Sequence, residues 1–305
     1  MTMKQRSRVE ILAAIEGTAL SSRARIKALV KAALDVPPFS YLSVLGGHNG
    51  AYRRRISRCL PSWIKFRGVY SSFEEARANA ARGVLLGFDH DEIACAYRDY
   101  GMWPSDYPAM MWLSEALGTG ASVFDFGGSV GNLFYLWEKY LKYPEDLKWL
   151  VCDLPAVARA GDRLSKEKGE MRLSFTSRFE DADGFNCLLA SGSLQCMESS
   201  IGDLLRGLRF PPQHLVFNRL PLHAQFECIT LQNVGWVTTA YRVFQRDRFL
   251  HDLESLGYVV VDAWSAPDQS CWIPFYPEYS LESYSGLYLR RVKAESHGKN
   301  GSQVA

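Results

Sequence analysis

The chain has 305 residues, 47% hydrophobic and 13% aromatic, enough to bury a sizeable core in one large domain or two smaller ones. No apolar run approaches the roughly 18 residues of a membrane span, and the N-terminus lacks the apolar core and small-residue cleavage site of a signal peptide. The net charge of +2 hides an asymmetry: residues 1–60 carry eleven Lys and Arg against three acids, which leaves −6 for the rest of the chain.

A charge run of this kind is most simply a solvated helix face. Peripheral contact with a membrane surface, contact with an anionic substrate and self-association as a homodimer are its sharper readings. Nucleic acid is not expected as a partner, because no recognised motif accompanies the charge. The seven cysteines (59, 95, 152, 187, 196, 228, 271) show no CxxC spacing. They read as reduced thiols of a cytoplasmic protein, with no metal site expected.

In chain order, Ser21-Ser22 caps a predicted helix whose stripe is Ile26, Leu29, Val30, Ala33 and Leu34, and Pro37-Pro38 stops it. Ser72 to Glu75 and Asp89 to Glu92 have capping-box spacing. The pattern changes near Gly118-Thr119-Gly120. Residues 1–118 read as a helical N-terminal region, 119–292 as an α/β domain, and 293–305 as a disordered polar tail. Strand-like runs follow at 122–126, 149–152, 173–175, 187–190, 215–217, 258–263 and 287–290, most of them separated by helical stretches. That alternation predicts a doubly wound, seven-stranded Rossmann-like sheet.

The run VFDFGGSVGN, Val123 to Asn132, ends a predicted strand on Asp125 and breaks into three glycines. A dinucleotide fingerprint would need glycine where Ser129 and Asn132 stand, and a P-loop would need Gly-Lys-Ser/Thr. What remains is Asp125-x-Gly127-x-x-x-Gly131, a turn that lets a ligand approach bare backbone. Its carboxylate repels phosphate and attracts an ammonium group. Asp153 ends the next strand, where a carboxylate can accept both hydroxyls of a ribose. Its other reading is a cap for the helix beginning at Pro155.

Asp125-Phe126-Gly127-Gly128-Ser129-Val130-Gly131 with Cys152-Asp153-Leu154-Pro155 resembles a class I S-adenosylmethionine-dependent methyltransferase. Further segments are similar to a bacterial methyltransferase family often linked with surface-polysaccharide genes. They are Gly68 to Ala76, Ser191-Gly192-Ser193-Leu194-Gln195, Asn218 to Leu222, Leu231-Gln232-Asn233, Tyr241 to Phe244 and Gly257-Tyr258. The resemblance runs from about Phe66 to Arg290 and does not reach residues 1–60.

It implies S-adenosylmethionine as cofactor. Gly127, Gly128, Ser129, Gly131 and Asn132 would pass its methionine portion, with Asp125 facing the amino group. Asp153 would hold the ribose. Adenine would lie between Leu154 and Ser177-Arg178-Phe179, with Arg178 where an acid is common. Ser191 and Gly192 would leave room for the methyl group.

Plant-type small-molecule O-methyltransferases carry a catalytic histidine just after strand 4. This chain has Gln195 there, which cannot act as a base, so His223 after strand 5 is the substitute and Gln195 orients the acceptor. The other reading of His223 is a loop histidine bonded to backbone, and His214 reads as structural. Gln232, Tyr241 and Arg242 are expected on the acceptor wall, with Arg242 holding a carboxylate or phosphate. Trp264 opens a run rich in tryptophan, tyrosine and proline that suits a sugar or aromatic acceptor, or simply covers the sheet edge.

The expected activity is O-methylation of a sugar or related small-molecule or glycan hydroxyl. N-methylation of an amine, a scaffold that binds the cofactor without catalysis, and an enzyme of another nucleoside ligand such as a nucleotide sugar are the alternatives.

Overall fold

A computed structural model describes residues 64–80, 85–89, 101–118, 120–234 and 237–292. The basic segment, the helix read at 21–34 and the tail at 293–305 lie outside these. No helix among the described residues is long and apolar enough to cross a membrane.

The elements are β1 (Phe66–Tyr70), α1 (Phe73–Ala78), β2 (Leu85–Leu86), α2 (Asp106–Leu117), β3 (Ser122–Phe126), α3 (Asn132–Trp137), β4 (Lys148–Cys152) and α4 (Pro155–Lys168). They continue with β5 (Leu173–Thr176), β6 (Cys187–Ser191), α5 (Ile201–Arg206), β7 (His214–Leu220), β8 (Leu222–His223), β9 (Cys228–Asn233), β10 (Val237–Gln245), α6 (Arg246–Glu254), β11 (Tyr258–Ala266) and β12 (Tyr284–Arg291).

The doubly wound sheet is present, with strand order β11-β12-β7-β6-β3-β4-β5. Strands β7, β6, β3, β4 and β5 are parallel, and β12 runs antiparallel to both β7 and β11. The central strands are continuous apolar runs because both faces are covered. On one face α2 and α3 bring Leu113, Phe134 and Trp137 against Val123, Leu189 and Val216. On the other, α5 and α6 bring Leu205, Phe249 and Leu253 against Phe124, Leu188 and Phe217. His214 is a structural residue of this layer: its Nδ1 lies 2.7 Å from the Tyr288 hydroxyl.

A second sheet, which the alternation did not reveal, has the order β1-β9-β10-β2, with β8 paired to β10. The β9–β10 hairpin is inserted between β7 and α6, with Gln232 opposite Thr239 and Thr230 opposite Tyr241. Strand β1 joins it from far upstream, antiparallel to β9. Residues 1–118 therefore are not wholly helical, since β1 and β2 complete the inserted sheet. The Ser72 cap forms as read: its side chain accepts from the Glu75 N–H at 3.0 Å. Glu75 reaches back to the Ser71 N–H at 2.8 Å, one residue before the cap.

Candidate functional site

Where the parallel strands end, the second sheet stands across from them and a cleft of about 1000 Å³ opens between. Its floor is the ends of β3, β4, β6 and β7. Its other side comes from Lys65, α1, β9 and β10, and from the segment joining β11 to β12. The carboxyl edge of a doubly wound sheet is where such clefts hold ligands.

The glycine turn after β3 lines it with Asp125, Gly127, Gly128, Ser129 and Asn132. Asp125 is 1% exposed. Its Oδ2 accepts from Trp149 Nε1 at 3.1 Å, while Oδ1 has no partner. Burial raises its pKa to about 7, helped by the charge of Asp153 and opposed by the Trp149 bond.

The glycines are needed first by the protein's own packing. A Cβ on Gly127 would stand 2.2 Å from Ser193 Cβ, and one on Gly128 would stand 2.3 Å from Asp125 Oδ2. Gly131 does not line the cleft; it is the left-handed N-cap of α3 at φ 86°, where a Cβ would meet Leu173. Backbone clearance for a ligand therefore falls to Gly127 and Gly128, and Gly131 serves the turn. Ser129 holds φ 57° without being glycine, and its buried Oγ has no partner.

Asp153 secures that turn. Its Oδ2 accepts from the Ser129 N–H at 2.8 Å and its Oδ1 from the Leu154 N–H at 2.7 Å. It is not the cap of α4. Asp89, from the second capping-box candidate, supplies that bond by accepting from Ala156 N at 2.8 Å. Leu154 and Phe179 line the cleft, as does Ser177. Arg178 does not: it is exposed and within 4 Å of Glu180 and Asp181.

Ser191 and Gly192 end β6 in the cleft. Gly192 has φ 74°, and a Cβ there would find nothing nearer than Gln195 Nε2 at 3.7 Å. Gly87, which also lines the cleft, likewise has room: nothing stands within 4 Å of a Cβ there. Gln195 follows in a short 3-10 helix, Leu194–Cys196, 4% exposed, with its Oε1 buried and unpartnered.

His223 is not in this company. It does not line the cleft, and its Nδ1 accepts from the backbone N–H groups of Gln225 and Phe226 at 3.0 and 2.9 Å. A backbone hydrogen bond to Glu278 engages it further. It closes the loop after β8 and is withdrawn as a candidate base.

Of the expected acceptor residues, Gln232 and Tyr241 line the cleft. The Tyr241 hydroxyl donates to Tyr284 at 2.8 Å, and burial holds its pKa well above the ordinary phenol value. Arg242 turns away: its Nη2 donates to the Glu198 carbonyl at 2.8 Å, and its guanidinium stands 5.2 Å from the Phe73 ring centroid. Trp264 is structural as well, donating from Nε1 to Asn218 Oδ1 at 3.2 Å.

The sequence reading missed a buried ionic cluster at the end of β7. Arg219, another non-glycine with positive φ (58°), lines the cleft and reaches Asp106 Oδ1 at 2.6 Å and Asp268 Oδ2 at 3.6 Å. Its guanidinium stands 5.2 Å from the Trp103 ring centroid. Asp106 also accepts from the Trp103 N–H at 2.9 Å and from Asn218 Nδ2 at 3.2 Å. The Asn218-Arg219 pair stood inside a quoted motif; its partners, 112 and 49 residues away at 106 and 268, carried no signal of their own. Lys65 was missed too.

Buried polar atoms are normally paired, so an orphan that lines a cleft is a candidate contact for a ligand or a water; others, those on Tyr135, Trp137 and Arg242 among them, lie on residues outside the lining. Asp125 Oδ1, Ser129 Oγ and Gln195 Oε1 are three such atoms, and all three residues line one cleft. Asp125 can receive an ammonium, Ser129 can give or take a hydrogen bond, and Gln195 awaits a donor.

No family model and no curated protein sequence matches the chain. Solved structures with a similar sheet include 1,6-didemethyltoxoflavin-N1-methyltransferase from Burkholderia thailandensis, 20% identical over 62% of this chain and 79% of that one, with TM-score 0.43. Magnesium protoporphyrin IX methyltransferase from Synechocystis PCC 6803 is 13% identical over 67% and 96%, with TM-score 0.42. Mitomycin 7-O-methyltransferase is 16% identical over 61% of this chain and 53% of its own length, with TM-score 0.38. All three are methyltransferases by name, and at these scores the likeness says nothing of the site.

Proposed function

We propose that the cleft binds S-adenosylmethionine and that the protein methylates a small molecule. The observation that carries this reading is the set of three unpartnered buried atoms in one cleft, on the residues that the motif resemblance assigns to cofactor and acceptor. Bound there, the cofactor supplies a methyl group on a cationic sulfur. Asp125 Oδ1 would receive its amino group, Asp153 its ribose, and Leu154, Ser177 and Phe179 its adenine. Ser191 and Gly192 leave space beside Gln195, whose amide orients the acceptor.

The acceptor group we favour is a hydroxyl on a sugar or related ring, in keeping with the resemblance to proteins of surface-polysaccharide synthesis. With His223 withdrawn, no imidazole lines the cleft among the described residues. Of the side chains lining the cleft, Arg219 and Cys196 are the ionisable ones nearest in sequence to the ends of β6 and β7, and burial pushes the Cys196 thiol up to about 12. A hydroxyl acceptor must then ionise largely unaided, and its methylation rate should rise with pH. The same observation favours, as a second reading, an amine acceptor that reacts through its neutral lone pair and needs no base.

Calorimetry with S-adenosylmethionine and its demethylated product tests the cofactor assignment, and pH sharpens it. The Asp125 pKa is raised to about 7 in the folded protein, so below that pH the carboxyl is protonated and offers no charge to an ammonium. Affinity should fall about fivefold from pH 7 to pH 6 and level off above about pH 8. Asp125→Asn should be weak and flat with pH. No heat with either ligand, or a pH profile that survives Asp125→Asn, sinks the assignment.

Gln195 gives a test that needs no known acceptor. Its unpartnered carbonyl costs the free protein about 1–3 kcal/mol of desolvation. Gln195→Met, similar in volume, should therefore raise unfolding stability by about 1 kcal/mol while cofactor affinity stays within twofold. Loss of stability in urea titrations would show that the amide is satisfied in the free protein.

A further inference from the structure

We propose that the cleft takes an anionic group, a carboxylate or a phosphate, on Lys65, so that the acceptor is a small anion; this rests on the methyl-transfer reading for the reaction but not for the charge. Among the described residues, five charged side chains line the cleft. Asp125 and Asp153 sit at the ends of β3 and β4, on the side assigned to the cofactor. The other three are cations, from the residue before β1, from α1 and from the end of β7. Two of these are already paired: Arg77 with Glu198 at 2.7 Å, and Arg219 with Asp106 and Asp268. Among the described residues Lys65 has only neutral company. Its Nζ donates to Gln269 Oε1 at 3.3 Å and stands 5.4 Å from the centroid of the Phe66 ring. No carboxylate meets it among the described residues.

Its surroundings are desolvating enough to lower its pKa, yet the residue stays exposed to an incoming ligand. Among the described residues that cation lacks a counter-charge, and a bound anion would supply one. The position is held from both sides. The Lys65 carbonyl accepts from the Asn233 N–H at 2.7 Å, tying it to the end of β9, and the Gln269 carbonyl accepts from the Tyr284 N–H at 3.2 Å. The rings of Phe73, Phe88 and Trp103 and the side chains of Gln232 and Thr239 share the lining. A ring-bearing anion finds apolar faces, neutral hydrogen-bonding groups and one unmatched positive charge there.

The experiment uses the full chain saturated with S-adenosylhomocysteine and three probes of one shape: benzoate, phenyl phosphate and the neutral benzamide. Binding is read by ligand-observed NMR. At least one anion should bind about tenfold or more tightly than benzamide, and the tighter anion identifies the group. Lys65→Ala should abolish the preference, Lys65→Arg should keep it within about threefold, and both should bind S-adenosylhomocysteine as the parent does. Equal binding of the three probes, or a preference that survives Lys65→Ala, overturns the proposal. If the protein takes no S-adenosylhomocysteine but shows an anion preference that Lys65→Ala removes, the cofactor reading falls and the anion subsite stands.

Discussion

Asp106→Ala should cost the folded protein about 3–5 kcal/mol, the range for removing one partner of a buried ion pair. Asp106 is fully buried at the start of α2, and Arg219 is nearly so. The pair is not isolated. Ser105 Oγ accepts from Arg219 Nε at 3.2 Å and donates to Asp268 at 2.9 Å, while Asn218 links Asp106 to Ser191. Taking away the Asp106 carboxylate leaves a guanidinium with weaker company and orphans the Trp103 N–H. Urea unfolding reads the loss. The double variant Asp106→Ala/Arg219→Leu should be more stable than Asp106→Ala alone, because the charge left behind is the larger part of the cost. A single-variant loss below about 1 kcal/mol would mean that Asp268 alone satisfies Arg219.

That cluster also explains a strained backbone. Arg219 holds φ 58°, which costs a side-chain-bearing residue about 1–2 kcal/mol. The conformation lets β7 end with its guanidinium turned to Asp106 and Asp268, beside Gly192, so the strain is set against the ion pairs at the edge of the cleft.

Gly127→Ala is the second large effect. Two penalties act together. The residue sits at φ 72°, where alanine is strained, and its Cβ would stand 2.2 Å from Ser193 Cβ. Ser193 cannot easily retreat, since its Oγ donates to the Phe126 carbonyl at 2.6 Å. Strain of about 1–3 kcal/mol and overpacking of about 1–3 kcal/mol give a loss of about 2–6 kcal/mol. The turns after β3 and β6 would be forced apart, and both line the cleft, so affinity for S-adenosylhomocysteine should fall by about a hundredfold or more. Adding Ser193→Gly removes the collision but not the φ strain, and should restore roughly half of the stability. If calorimetry on Gly127→Ala shows parental affinity, the turn does not set the cofactor site.

The central sheet was legible in the sequence for a physical reason. Strands buried on both faces must be continuous apolar runs, and Val123-Phe124, Trp149 to Cys152 and Cys187 to Ala190 are such runs with a turn or an acid at the carboxyl end. The glycine turn was legible because left-handed backbone leaves few residue choices. Why Gly127 and Gly131 are needed was not: Ser193 and Leu173, the residues that exclude a Cβ there, come from other strands' ends.

Only the tertiary structure decided the rest. Strands β9 and β10 gave no clear signal because the strands that flank their hairpin, β1 beside β9 and β2 beside β10, lie more than 150 residues upstream, and that pairing extends the hairpin into a sheet. His223 and Gln195 were both reasonable from position; the backbone N–H groups of Gln225 and Phe226 claim the first, and the lack of any partner marks the second. Asp153 had two readings, and the structure removes one of them: Asp89 caps α4 from a distant segment, while Asp153 holds the Ser129 and Leu154 N–H groups. Lys65, Arg219 and Asp268 are ordinary charged residues along the chain. Which are paired and which is left unmatched is a property of three distant segments meeting at one cleft, and no local pattern encodes it.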